Sequence, residues 1–201
     1  VNEADETFFV NLSNPGGATI SDAQGLGTIT DDDDSPTVSI NDASTLEGNS
    51  GTTPLGFTVS LSAPSGKIVT LKYATADNTA TTANNDYVGI PATLLTFAPG
   101  ETSKPAAVTV NGDITYENNE TFFVNLTDST NATITDPQGL GTITDDDAAP
   151  TVSINDVSTL EGNSGTTPLG FTVSLSAPSG RTITVKYATA DNTATTANND
   201  Y

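Results

Sequence analysis

The sequence predicts an all-β protein built of tandem antiparallel seven-stranded β-sandwich domains, with one complete copy and two partial ones. Three observations predict it. Apolar residues alternate at period two, and helical spacing is absent. Turn punctuation such as "APSG", "APGE" and "DPQG" separates the alternating runs. The chain also repeats itself at the length of a whole domain.

The repeat sets the frame. "TVSIND" begins at Thr37 and again at Thr151, and "ETFFVNL" begins at Glu6 and again at Glu120, an offset of 114 residues in both cases. Aligning 1–87 with 115–201 leaves 69 of 87 positions identical. A period this long is a domain, whereas solenoid units run to about 20–50 residues. The expected organisation is the C-terminal part of a repeat over 1–34, a complete repeat over 35–147 and the N-terminal part of a further repeat over 148–201. Because the window cuts across copies, the native molecule is expected to be longer at both ends. "DDDDSPTV" and "DDDAAPTV" leave only a short connection between copies, stiffened by Pro36 and Pro150.

Each strand of the complete copy is read from its alternation. "TVSI" at 37–40 is the first. The second, 55–62, puts Leu55, Phe57, Val59 and Leu61 on one face. The third, 68–75, offers Ile68 or Val69 with Leu71 and Tyr73, and the fourth, 93–97, offers Leu95 and Phe97. The fifth, 104–110, buries Val108 and Val110, and the sixth, 121–126, buries Phe122, Val124 and Leu126. "LGTIT" at 140–144 closes the set of seven, an immunoglobulin-like count.

If successive strands run antiparallel, the connections after odd strands all lie at one end. Those connections hold Glu47, Asp86, Asp113, Glu117, Glu120 and Asp145–Asp147. The opposite connections are mostly small or polar. Strand parity alone therefore gathers eight carboxylates at one end. Two such charges about 4–5 Å apart cost roughly 3–4 kcal/mol at an effective dielectric near 20. Several pairs would consume the margin of a domain stable by about 5–15 kcal/mol. A hard dication removes the conflict, and calcium, with 6–8 oxygen ligands in flexible geometry, fits better than magnesium.

Composition narrows the alternatives. The chain has 25 acidic residues against 5 basic ones, a formal net charge of −20, so nucleic acid is not an expected partner. It has neither Cys nor His, which removes thiolate chemistry, the commonest general base and the usual zinc ligands. No enzyme activity is expected. No apolar run reaches the length of a membrane span, so direct membrane insertion is not expected either.

At "LEGNSGTTPLGFTVSLSAPSG", "YATADNTA", "NDY", "ENNETFFVNL" and "GLGTITDDD" the chain resembles the Calx-beta domain family across its whole length. The resemblance implies calcium-binding β-sandwiches of the kind found in exchanger regulatory regions, integrin β4 and long microbial adhesins. Carried over by position, the ligands it implies are Glu47, Asp86, Asp113, the carbonyl of Thr115, Glu117, Glu120 and Asp145, Asp146 and Asp147. In the flanking copies they are Glu3, Glu6, Asp31, Asp32, Asp33, Glu161 and Asp200. Gly112-Asp113 stands where the family often has an acidic pair, so two or three Ca2+ ions per complete domain are expected. Asp77 is assigned to a turn, and Asp42 and Asp156 are candidate outer ligands. The N-x-S/T triplets at Asn11, Asn119, Asn125 and Asn131 are chance matches in a chain rich in Asn and Thr.

The function expected from the sequence is a calcium-rigidified spacer in a secreted or cell-surface adhesin or fibre. Its expected partners are calcium, neighbouring repeats and other copies in a fibre. The alternatives are a regulatory calcium sensor of a membrane transporter and a ligand-binding adhesion module. Near-interchangeable copies favour the spacer over the sensor, and few aromatics with no Trp disfavour a sugar-stacking platform.

Overall fold

The computed structural model describes residues 1–201 and divides into two units. The first comprises Val1–Ile114 with Asn119–Asp147, and the second comprises Thr115–Asn118 with Ala148–Tyr201. No helix is long and apolar enough to cross a membrane.

The first unit opens with a hairpin of β1 (Glu6–Asn11) and β2 (Gln24–Ile29). A sandwich follows. One sheet contains β3 (Thr37–Ile40), β5 (Gly51–Leu61), β8 (Ser103–Gly112) and the short β10 (Thr133–Ile134), in the order β10-β3-β5-β8. The other contains β4 (Ala43–Leu46), β6 (Val69–Asp77), β7 (Thr93–Phe97), β9 (Glu120–Thr130) and β11 (Gln138–Thr144), in the order β4-β11-β9-β6-β7.

The expected alternation is what fills the core. Leu55, Phe57, Val59 and Leu61 are buried along β5, facing Leu71, Phe97, Phe122 and Val124 of the opposite sheet. The Phe122 ring lies between Phe57, edge-on at 6.1 Å, and Tyr87, stacked at 4.3 Å. Of the two candidates in the third strand, Val69 is buried and Ile68 is exposed, because Val69 is the residue in register with Phe97.

Two short strands, β4 and β10, depart from the expected seven. After β3 the chain crosses from one sheet to the other and continues as β4, which pairs parallel to β11. The short β10 pairs parallel to β3. The sandwich is therefore not wholly antiparallel. Adjacent residues hold the crossover, one to each sheet: Asn41 Oδ1 accepts the Thr58 N–H at 2.6 Å, and Asp42 Oδ1 accepts the Leu140 N–H at 2.7 Å. Asp42 thus ties the crossover to the start of β11, which accounts for its carboxylate without a metal. Asn131 takes a left-handed turn (φ 60°) and donates to the Ile68 carbonyl at 2.9 Å.

In the second unit, the only strands are β12 (Val152–Ile154) and β13 (Val173–Leu175), paired antiparallel. Phe171 is 56% exposed, whereas Phe57, its equivalent in the repeat, is 1% exposed. The same sequence buries its apolar face only where a second sheet covers it.

Candidate metal centre

Parallel pairing of β4 with β11 builds the first cluster. The register places Leu46 opposite Thr144, so the residues that follow, Glu47 and Asp145, leave the sheet side by side. The Glu47 N–H donates to the Thr144 carbonyl at 3.2 Å, and the next N–H, of Gly48, donates to Asp146 Oδ1 at 3.0 Å. Carboxylate oxygens of Glu47, Asp145 and Asp147 lie within 4.8 Å of one another. Glu47 is buried and the two aspartates are half-buried.

Asp147 carries the clearest sign of a site suited to a cation. Its Oδ1 accepts the Asn49 side-chain amide at 3.0 Å, while its Oδ2 is buried without a hydrogen-bond partner. Desolvation, then the charges of Asp145, Asp146 and Asp113, push its carboxyl above the usual range. An acceptor-only, all-oxygen set with an unsatisfied lone pair suits a hard divalent cation. Asp146 is exposed, spends an oxygen on Gly48 and stands outside the three-carboxylate group.

The turn after β6 supplies a second approach. Asp86 Oδ2 accepts the Thr81 N–H at 2.6 Å, closing the loop 81–86 on itself, and a carboxylate oxygen of Asp86 lies within 4.8 Å of one from Glu120. Glu120 begins β9. Thr115 and Glu117 precede it in the same loop, on the stretch that belongs to the second unit.

Gly112 explains the departure at the mouth of this loop. A Cβ there would stand 2.1 Å from the Gly48 carbonyl oxygen and 2.6 Å from that of Glu47. No side chain fits, so Asp113 is the only acid this position pair can offer.

In the hairpin copy, Glu3, Glu6 and Asp31–Asp33 line one small pocket. The Asp31 N–H donates to Asp5 Oδ1 at 2.9 Å, and the Asp145 N–H donates to the equivalent Asn119 Oδ1 at 3.2 Å. Sequence reasoning missed Asp5, Asn119 and Asn49 as orienting groups; their only signal is a polar residue flanking an acidic one. In the second unit, Glu161 is exposed and Asp200 accepts the Thr195 N–H at 2.8 Å, and neither belongs to a group of three converging carboxylates.

Asp77 behaves as a turn residue. It accepts the Tyr87 hydroxyl at 2.6 Å and the Thr82 N–H at 3.1 Å, and Asp191 repeats both bonds with Tyr201 and Thr196.

Residues 31–148 and 145–201 match the family model described as the Calx-beta domain. Among solved structures, the chain is similar to an apo-form Calx CBD1 domain at 22% identity and TM-score 0.47, covering 56% of this chain and 98% of that one. It is also similar to CBD12 from CALX1.2, at 24% identity and TM-score 0.49, covering 60% of this chain and 48% of that one. A third, the calcium binding domain CBD12 of CALX1.1, aligns at 24% identity and TM-score 0.49, covering 62% and 53%. The chain thus spans about half the length of the two CBD12 structures. A search of curated proteins gives no significant match.

Proposed function

This chain belongs to the Calx-beta domain family, and from that membership we propose that it is a calcium-binding structural repeat acting as a rigid spacer in a long secreted or cell-surface adhesin or fibre. The family is a calcium-binding one, and the cluster of Glu47, Asp145 and Asp147, with the buried Asp147 Oδ2, has the donors that calcium takes. Asp86 and Glu120 form a second point of attachment, with Asp113 close enough to act on Asp147. A bound ion supplies the positive charge that lets these carboxylates stay together. Two or three ions per complete copy remain the expected number.

The observation that carries the spacer reading is the near-interchangeability of the copies, 69 of 87 positions identical, joined through only Ala148-Ala149-Pro150. A spacer needs length and stiffness from every unit alike. Small-angle scattering of the full chain in calcium, then in excess chelator, tests it. The expected result is an extended, stiff particle in calcium and a more flexible, less heat-stable one in chelator. Equal dimensions, flexibility and melting temperature in both would overturn the reading.

One observation favours the sensor alternative: beside the cluster, Asp5 in one copy is replaced by the neutral Asn119 in the next. Copies tuned to well-separated affinities would serve regulation. Calorimetry giving one class of site supports the spacer, and two widely separated classes support the sensor.

A further inference from the structure

Within each unit the same contact forms with different side chains. In the first unit, Asn2 and Ser65 make an isolated parallel bridge. The Gly66 N–H donates to the Asn2 carbonyl at 2.9 Å, and the Ser65 hydroxyl donates to it at 3.3 Å. Ser65 is 2% exposed and Asn2 is 7% exposed, so the contact is closed to water. In the second unit, Tyr116 and Ser179 make the same bridge, with the Gly180 N–H donating to the Tyr116 carbonyl at 3.0 Å and the Ser179 hydroxyl at 3.2 Å. Each residue of the second set lies 114 positions after its counterpart in the first.

A glycine stands in close quarters on both occasions. A Cβ on Gly66 would stand 2.9 Å from Glu3 Cβ, and one on Gly180 would stand 2.9 Å from Glu117 Oε1. Glu3 and Glu117 are themselves equivalent positions. The backbone contact is thus a constant of the repeat.

The side chains that flank it change as a matched set. With Asn at position 2, the turn carries Lys67, whose ammonium lies 3.8 Å from Asp31 Oδ2. With Tyr at position 116, the turn carries Arg181, whose guanidinium lies 4.1 Å over the Tyr116 ring and donates to its hydroxyl at 2.7 Å. The same guanidinium donates through Nε to the Glu117 carbonyl at 2.9 Å. Lysine is a point charge suited to a carboxylate, whereas the planar guanidinium stacks on a ring and forks onto a carbonyl.

We propose that the Ser-Gly-basic turn, residues 65–67 and 179–181, is a docking surface for the acidic-end loop of the preceding repeat, and that the pairs Asn2–Lys67 and Tyr116–Arg181 set which copies pair. The inference rests on the tandem-repeat spacer reading and names its joint. The partner is another copy of this repeat, recognised through one backbone carbonyl and the residue beside it. A basic residue at the joint also meets the acidic end of its neighbour with opposite charge.

The full chain tests this. It has no Cys, so Thr28→Cys and Thr96→Cys place two spin labels on exposed strands of the first unit, one on each side of the contact. Double electron–electron resonance in calcium should give a narrow distance distribution. Gly66→Leu and, separately, Lys67→Glu should at least double its width, with calcium stoichiometry by calorimetry unchanged. Asn2→Tyr combined with Lys67→Arg, which copies the second contact, should keep it narrow. A distribution that stays narrow in both Gly66→Leu and Lys67→Glu overturns the docking surface and leaves the spacer reading standing. A distribution already broad in the parent chain with calcium overturns both. A Tyr/Arg pair that broadens the distribution overturns the matched-set part.

Discussion

Tyr87 donates its hydroxyl to Asp77 at 2.6 Å while its ring stacks on Phe122 at 4.3 Å, so one residue joins the turn after β6 to the centre of the core. The Tyr87 hydrogen bond, then the Thr82 N–H, hold the Asp77 carboxyl below its ordinary value of 3.8. A carboxyl whose folded value is depressed adds stability above the unfolded value, and that stability is lost as pH falls through the folded value. Burial and Asp77 push the Tyr87 hydroxyl well above its ordinary value of 10.0. Its contribution is complete below that value and is lost as pH rises through the folded one. Tyr87→Phe removes this hydrogen bond and should lower stability at neutral pH. The difference in melting temperature from the parent should shrink below pH 3.8 and should leave calcium affinity unchanged. A fall in calcium affinity would show that Asp77 belongs to the metal centre.

Phe8 and Phe122 occupy equivalent positions in copies of ETFFVN, yet Phe8 is 53% exposed and Phe122 is fully buried. Phe122→Ala should cost about 3–5 kcal/mol, the range for emptying a core of a large ring. Phe8→Ala should change stability by less than about 0.5 kcal/mol, as surface substitutions do. Chemical denaturation of the two variants is the check. Comparable losses would mean that Phe8 is covered in solution.

Ligand substitutions should separate the carboxylates by geometry. Asp147→Asn removes the charge but keeps the shape, and should weaken calcium binding by about tenfold or more, the effect of losing one strong charge contact. Asp42→Asn should leave affinity within about twofold, because Asp42 serves the Leu140 N–H at the crossover. Titration calorimetry reads both. Equal effects would remove the basis for placing the ion beside Glu47 and Asp145.

These contrasts also mark how far the sequence could be read. Alternation identified the inward face of β5 because Leu55, Phe57, Val59 and Leu61 recur at period two with nothing competing. It could not find β4, whose ASTL offers no apolar face and which is held by backbone pairing to Gly141–Thr144. Choosing Val69 over Ile68 needed the register with Phe97, which is a long-range fact. Strand parity points the acids to one end because it depends only on how many strands intervene, and Glu47, Asp145 and Asp147 do converge. Which oxygens converge depends instead on local bonds, such as Gly48 to Asp146 and Asn49 to Asp147, that have no periodic signature.

The last prediction uses salt to separate charge repulsion from all other sources of calcium-linked stability. Glu47, Asp145 and Asp147 repel one another when no cation is present, and the desolvated Asp147 carries part of that cost in its raised carboxyl. Raising ionic strength from about 0.1 M to 1 M shortens the screening length from about 10 Å to about 3 Å, below the 4.8 Å within which the cluster's oxygens lie. In chelator, sodium chloride should therefore raise the melting temperature of the chain. With calcium bound the repulsion is already neutralised, and the same salt should have little effect or a small negative one, since it also screens the ion from its ligands. At a free calcium concentration 100 times the dissociation constant, one bound ion stabilises the folded state by about 2.7 kcal/mol. Calcium at low salt should thus raise the melting temperature more than sodium chloride alone does. Differential scanning calorimetry across the four conditions decides it. Should salt leave the melting temperature in chelator unchanged or lower it, repulsion among these carboxylates is not what the ion relieves.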